Sequence, residues 1–255
     1  MSDTAAPAYL DTGHGARIAH HRTPGAAPGI VFLGGFASDM DGTKATALEA
    51  YARERGRAFV RFDYQGHGQS SGRFVDGTVS AWLADSLAVL DHLTEGPQVL
   101  VGSSMGGCMM LLAALQRPER VAALVGLAAA PDFTEDLLLP TLDEAARETL
   151  AREGVYNMPS PYGDPVPLSK ALVDDGRKHL LLRDTIDLTC PVRLIHGMRD
   201  DDVPWHWSLK TQAALASEDV EVTLVKNADH RLSAPADLRR LERTLDGLNE
   251  VVATC

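Results

Sequence analysis

Short apolar, β-branched runs alternate along this chain with segments of helical periodicity. GIVFLGG (29–35) precedes KATALEAYARERG (44–56), RAFVRFDY (57–64) precedes VSAWLADSLAVLDHL (79–93), and QVLVGSS (98–104) precedes MGGCMMLLAAL (105–115). The alternation resumes with VAALVGLAAA (121–130), PVRLIHG (191–197), WSLKTQAALA (207–216), VEVTLVKNA (220–228) and ADLRRLERTLDGL (236–248). Runs apolar throughout suit strands buried on both faces, and the strand–helix repetition predicts an α/β fold with a mostly parallel sheet and helices on both faces. PAYLDTG and ARIAHHR, near the start, suit an antiparallel pair at one sheet edge.

One interval, about 132–185, breaks the alternation. It holds DLLLPTLDEAARETLAREG and LSKALVDDGRKHLLLRD around a turn-rich NMPSPYGDPVP, and predicts helices without an intervening strand. A helical insertion after a strand of an open α/β sheet sits above the carboxyl ends of the strands, where such sheets bind ligands. The chain therefore reads as a single domain, 1–255, with a cap insertion. The leucines of the interval (Leu137, Leu138, Leu139, Leu172, Leu180, Leu181, Leu182) serve either to pack the cap onto the body or to line an acyl pocket.

Composition narrows the partners. With 24 Lys+Arg against 35 Asp+Glu the formal charge is -11, which opposes docking on phosphate backbones or anionic lipid and argues against nucleic acid. The longest apolar runs reach about half of the roughly 20 residues a membrane helix needs, so no integral membrane segment is expected. The opening MSDTAAPAYL resembles neither a secretory signal nor an Arg-rich transit peptide, which leads to the expectation of a soluble, cytoplasmic protein. Cys108, Cys190 and Cys255 lack any CxxC pair and read as reduced thiols, and no His/Cys cluster has metal-ligand spacing. No metal and no cofactor are expected.

Two stretches read Gly-x-Ser-x-Gly, the pattern of a serine nucleophile on a sharp strand-to-helix turn: GQSSG with Ser70 and GSSMG with Ser104. Ser104 follows the buried-strand run QVLVG and precedes a helix pattern, which is the context the motif requires. Ser70 follows DYQGHGQ and precedes SGRFVDG, with neither strand directly before it nor helix directly after, and reads as a loop. Ser104 is the candidate nucleophile.

A serine hydroxyl needs a base near neutral pH and a carboxylate to fix the base's tautomer. His230 lies directly after the last strand run and before a helix, where a loop can lower an imidazole onto Ser104. His196 reads as support for the turn carrying the acid, His179 lies in the cap, and His206 opens a helix. The acid is sought after PVRLIHG, where Asp200, Asp201 and Asp202 stand in a row. The frame HGMRDDDVP selects Asp200, and Asp132, after LVGLAAAP, is its rival. Two backbone N–H groups are needed for the tetrahedral oxyanion: Met105 supplies one, and Phe36, behind the close-approach glycines Gly34 and Gly35, supplies the other.

With these pieces placed, the chain resembles an α/β-hydrolase along nearly its whole length. The segments GFASDMDGTKA, RFDYQGHGQSSG, GSSMGGCMML, RPERVAALVGLAAA, CPVRLIHGMRDDDVPWHWS and DHRLS resemble more narrowly the mitochondrial acyl-protein thioesterase and acyl-glucuronide esterase family, the tenth of the α/β-hydrolase-domain proteins. The resemblance implies a nucleophile at Ser104, an acid at Asp200 and a base at His230. It makes RFDYQGHGQSSG a non-catalytic loop. It also implies hydrolysis of carboxylic esters or thioesters, with acyl glucuronides and S-acylated proteins as substrates. Where many α/β-hydrolases carry His-Gly, this chain has Gly34–Gly35. A receptor-like binding protein with little turnover and a carbon–carbon bond hydrolase on the same three residues are the alternatives.

Overall fold

The computed structural model describes residues 6–160 and 163–252; Cys255 lies outside them. The strands are β1 (Ala8–Asp11), β2 (Arg17–Thr23), β3 (Ala26–Leu33), β4 (Arg57–Phe62), β5 (Gln98–Ser103), β6 (Val121–Leu127), β7 (Val155–Met158), β8 (Val166–Ser169), β9 (Val192–Gly197) and β10 (Val220–Val225). The helices are α1 (Thr43–Glu54), α2 (Val79–Leu93), α3 (Met105–Gln116), the single turn α4 (Leu139–Thr141), α5 (Glu144–Glu153), α6 (Lys170–Gly176), α7 (His206–Ala214) and α8 (Pro235–Val252).

Eight strands form one sheet in the order β1-β2-β4-β3-β5-β6-β9-β10. The β1–β2 and β2–β4 pairs are antiparallel, and the remaining pairs are parallel. Every residue of β5 is buried, as expected of a central parallel strand covered on both faces. On one face lie α2 and α3, with Trp82, Leu90 and Met109 in the core; on the other lie α1 and α8. In α8 the buried Leu241, Leu245 and Leu248 recur at helical spacing and turn one stripe to the sheet. Thr78 starts α2 by accepting the Ala81 N–H with its hydroxyl, at 3.2 Å.

Between β3 and β5 the winding reverses: the chain steps from β3 to β4 on one side, crosses back over α2, and continues through β5 and β6 on the other. A crevice opens at such a switch point, outside the carboxyl ends of the strands. Ser104 stands at the carboxyl end of β5, and the β3–α1 loop holding Phe36 faces it from β3.

The interval expected to hold only helices contains two strands, β7 and β8, paired antiparallel. VYNM and VPLS are four-residue segments, one with an internal proline, too short to show an alternation. The helical segment DLLLPTLDEAARETLAREG is divided into a π-helical turn, Phe133–Leu138, then α4 and α5. Leu142 is extended, and the Asp143 carboxylate accepts the Ala146 N–H at 2.8 Å, so a new helix begins there.

Candidate active site

Ser104 is the hinge between β5 and α3, with φ 54° and ψ −121°. A non-glycine residue is held there at a cost of order 1–3 kcal/mol, so its surroundings must fix it. Its N–H donates to Leu127 O at 2.9 Å, and its carbonyl accepts from Gly107 N at 2.8 Å and Ala130 N at 3.1 Å. The turn is this sharp because two neighbours lack side chains. A Cβ on Gly102 would lie 2.4 Å from Gly106 O, and one on Gly106 would lie 2.1 Å from Leu33 O.

His230, in the loop between β10 and α8, reaches Ser104 Oγ with Nε2 at 3.1 Å and Asp200 Oδ2 with Nδ1 at 2.8 Å. Asp200, just past β9, is buried and fixed from all sides. Oδ1 accepts from Asp202 N at 3.0 Å and Val203 N at 2.7 Å, and Oδ2 also meets His196 Nε2 at 3.1 Å. Burial alone would raise its pKa, but the hydrogen bonds of His196 and His230, the His230 charge and the Val203 N–H together hold it down at about 2. Because this folded value lies below the ordinary 3.8, the associated stabilisation is fully present above 3.8 and is lost as pH falls through about 2. An ionised Asp200 places the imidazole proton on Nδ1 and leaves Nε2 to accept from the serine hydroxyl.

His196, fully buried, shares Nε2–H between Asp200 Oδ2 and Val203 O and accepts the Ser208 hydroxyl at Nδ1, at 2.7 Å. The His230 loop has a support with no signature in the sequence: Lys44 Nζ, at the start of α1, donates to Arg231 O. Burial pushes the Lys44 ammonium down to about 8. Nothing local in GTKA signals a partner 187 positions away.

Asp201 and Asp202 stand exposed at the same cavity, and Asp132, Ser70 and His179 are engaged elsewhere. Asp132 accepts from Leu181 N at 2.6 Å and Leu182 N at 3.0 Å and pairs with Arg183 at 3.3 Å, so its carboxylate ties the end of the β6–β9 interval to the sheet. Ser70 Oγ donates to Asp63 O at 2.6 Å and accepts from Ala19 N at 2.8 Å. His179 Nε2 lies 2.7 Å from Ser80 Oγ. Asp200, Asp202 and His230 present ligand atoms within 4.8 Å of one another. Two of those three already face each other as hydrogen-bond partners, an arrangement suited to orienting an imidazole. Cys108 is buried in α3, and burial pushes its thiol up to about 12, where a thiol is inert.

Ser104 and His230 open into a cavity of about 790 Å³ that Phe36 and Met105 also line. Met105 is the first residue of α3, and the first N–H groups of a helix have no partner within it. A Cβ on Gly35 would sit 3.5 Å from both Ser103 O and Ser104 Cβ, so the Phe36 loop passes directly beside the turn. Leu137 and Leu138 both line the cavity and pack against the core, Leu172 is buried in the core, and Leu181 and Leu182 pack against it. The leucines of the interval thus serve both expected uses.

The profile of the alpha/beta hydrolase fold family matches residues 28–174. The chain is 42% identical to "Palmitoyl-protein thioesterase ABHD10, mitochondrial" of Bos taurus over 93% of its own length and 78% of that protein's. With the Homo sapiens protein of the same name the identity is 41%, over the same shares. Among solved structures, mouse alpha/beta hydrolase domain-containing protein 10 superposes with a TM-score of 0.89 at 39% identity, covering 97% of this chain and all of that one. A crystal structure from Agrobacterium vitis S4, named only as a hydrolase, superposes at 0.91 with 40% identity, over 95% and 98% of the two chains. The expectation of a cytoplasmic protein is corrected by these findings, because the curated relatives are named as mitochondrial. That expectation rested on the opening residues, which do not bear on compartment. A match to the family profile over more than half the chain, together with these identities, shows that the chain belongs to the α/β-hydrolase family, and within it to the group that includes the ABHD10 proteins.

Proposed function

We propose that this chain is a serine thioesterase and esterase that removes acyl groups through a covalent acyl-enzyme on Ser104, with His230 as base, Asp200 as the orienting acid, and no metal or cofactor. The observation that carries the reading is the continuous hydrogen-bonded series from Asp200 through His230 to a strained Ser104 at the wall of a large cavity. Ser104 Oγ adds to the acyl carbonyl carbon while its proton passes to His230 Nε2. The backbone N–H groups of Phe36 and Met105 receive the oxyanion. The tetrahedral centre collapses, the thiolate or alkoxide leaves with the His230 proton, and water activated by the same imidazole then releases the acid.

The interval between β6 and β9 acts as a cap over this site, with Phe133, Leu137, Leu138 and Met158 as its apolar wall. The relatives' name, palmitoyl-protein thioesterase, supports an S-acylated protein as substrate. Asp143, Asp164, Asp201 and Asp202 stand exposed at the same cavity. An anionic glucuronyl leaving group meets like charge there, whereas a thioester on a neutral or basic peptide does not.

An acyl series tests the reading. Each buried methylene contributes about 0.8 kcal/mol, so kcat/KM for thioesters of increasing chain length is expected to rise about fourfold per methylene and then level off when the pocket is full. A flat series would remove the acyl pocket. Negligible turnover throughout, with ligand binding retained, would favour a receptor.

A further inference from the structure

The second Gly-x-Ser-x-Gly stretch lies in the loop that follows β4, Asp63 to Gly72, which makes no contribution to the mechanism above. Its serines stitch it to β2: Ser70 accepts the Ala19 N–H and Ser71 Oγ accepts the Arg17 N–H, both at 2.8 Å. Asp63 and His67, only 2% and 3% exposed, turn the other way, toward the loop between β3 and α1. Asp63 Oδ1 accepts from Met40 N at 2.7 Å. His67 Nε2 accepts from Ala37 N at 3.3 Å, and its Nδ1 lies 3.4 Å from Gln65 O, so the Nδ1 position carries the proton.

Ala37 directly follows Phe36 and has φ 55°, a left-handed conformation that alanine rarely adopts. The hydrogen bond from its N–H to the imidazole helps to hold the loop in this turn. The ring of Phe36 is held separately, by Phe74 at 4.9 Å and Trp82 at 5.9 Å between centroids, and the same two rings enclose His67 at 4.9 and 5.2 Å. The backbone and side chain of one loop residue are thus fixed by one buried cluster. Burial pushes the imidazole down to about 4, so above that pH it is neutral and can accept at Nε2.

We propose that His67 is a positioning residue that sets the Phe36 N–H toward the oxyanion by holding Ala37 N, with Asp63 anchoring the same loop at Met40. The proposal rests on the serine-hydrolase reading, with Phe36 as an oxyanion donor. It also accounts for GQSSG, because the loop carrying that stretch braces the oxyanion hole from behind.

The test compares His67→Phe, His67→Asn and His67→Gln. Phenylalanine keeps a ring in the aromatic box but offers no acceptor, and Gln65 O retains the Trp82 indole N–H at 3.1 Å, so Ala37 N is the group left without its partner. Asparagine is too short to reach Ala37 N, whereas the glutamine amide oxygen occupies nearly the place of Nε2. Misplacing a catalytic donor by about 1 Å costs up to about 100-fold. His67→Phe and His67→Asn are therefore expected to lower kcat for a p-nitrophenyl acyl ester by about 10- to 100-fold with KM unchanged. Binding of an alkyl trifluoromethyl ketone, whose adduct carries the oxyanion, should weaken by the same factor, and His67→Gln should recover most of both. If His67→Phe does not fold, His67→Asn carries the comparison alone. Unchanged kcat in the variants, or a loss equal in KM and ketone binding and not rescued by glutamine, would overturn the proposal. A wild-type protein that neither turns over the ester nor binds the ketone would overturn the underlying reading and the proposal with it.

Discussion

Replacing Ser104 by alanine is expected to lower kcat by roughly four to six orders of magnitude, because nucleophile and base act as a unit and neither works alone. The residual rate would come from the oxyanion donors and binding, so KM should change little. Ser70→Ala is the matched control, since both serines sit in the same five-residue pattern. Its hydroxyl donates to Asp63 O and accepts from Ala19 N, so its loss costs about 1 kcal/mol of stability and leaves most activity. Steady-state kinetics of the two purified variants, with thermal unfolding as the check on folding, separate the two serines. Comparable losses of kcat in both would remove Ser104 from its role.

The second large effect is expected at Asp200. Oδ1 is pinned by the Asp202 and Val203 N–H groups, so in Asp200→Asn the carbonyl oxygen stays there and the amide NH₂ faces His230. That forces the imidazole proton onto Nε2, which then offers Ser104 a donor where it needs an acceptor. A loss of about 10⁴-fold in kcat follows. Asp201 and Asp202 are exposed, and their asparagine variants are expected to stay within about threefold of wild type. Asp132→Asn should act on stability instead, because its carboxylate accepts from Leu181 N and Leu182 N. A kinetic comparison of the four variants that put the large loss at Asp202 or Asp132 would move the acid there.

Much of this arrangement was legible in the sequence because it depends on local context. QVLVG before Ser104 and MGGCMM after it specify a buried strand and a helix, and the observed β5 and α3 occupy those residues. The three side chains that meet, Ser104, Asp200 and His230, could each be assigned to the end of a strand, and parallel strands bring their carboxyl ends to one side. What the sequence hid depends on distant partners. The roles of His67 and Lys44 depend on backbone groups at Ala37 and Arg231, which no local pattern connects. Asp132 and Asp200 both follow β-strands and look alike as residues. Only the position of the Leu181 and Leu182 N–H groups shows that the first carboxylate is already held. The β7–β8 pair has no signal in the sequence because four-residue segments carry too few positions to express a period of two.

The central claim is that the acyl group passes through Ser104 Oγ, and the most direct measurement is the site of the covalent adduct. Wild-type protein mixed briefly with a long-chain acyl thioester, quenched in acid and digested, is expected to carry the acyl mass on the peptide containing Ser104. The adduct should be absent from Ser104→Ala and accumulate in His230→Ala only if acylation outpaces its hydrolysis. An acyl group mapped to Ser70, to Cys108 or to any residue other than Ser104, and still formed in Ser104→Ala, would contradict the account.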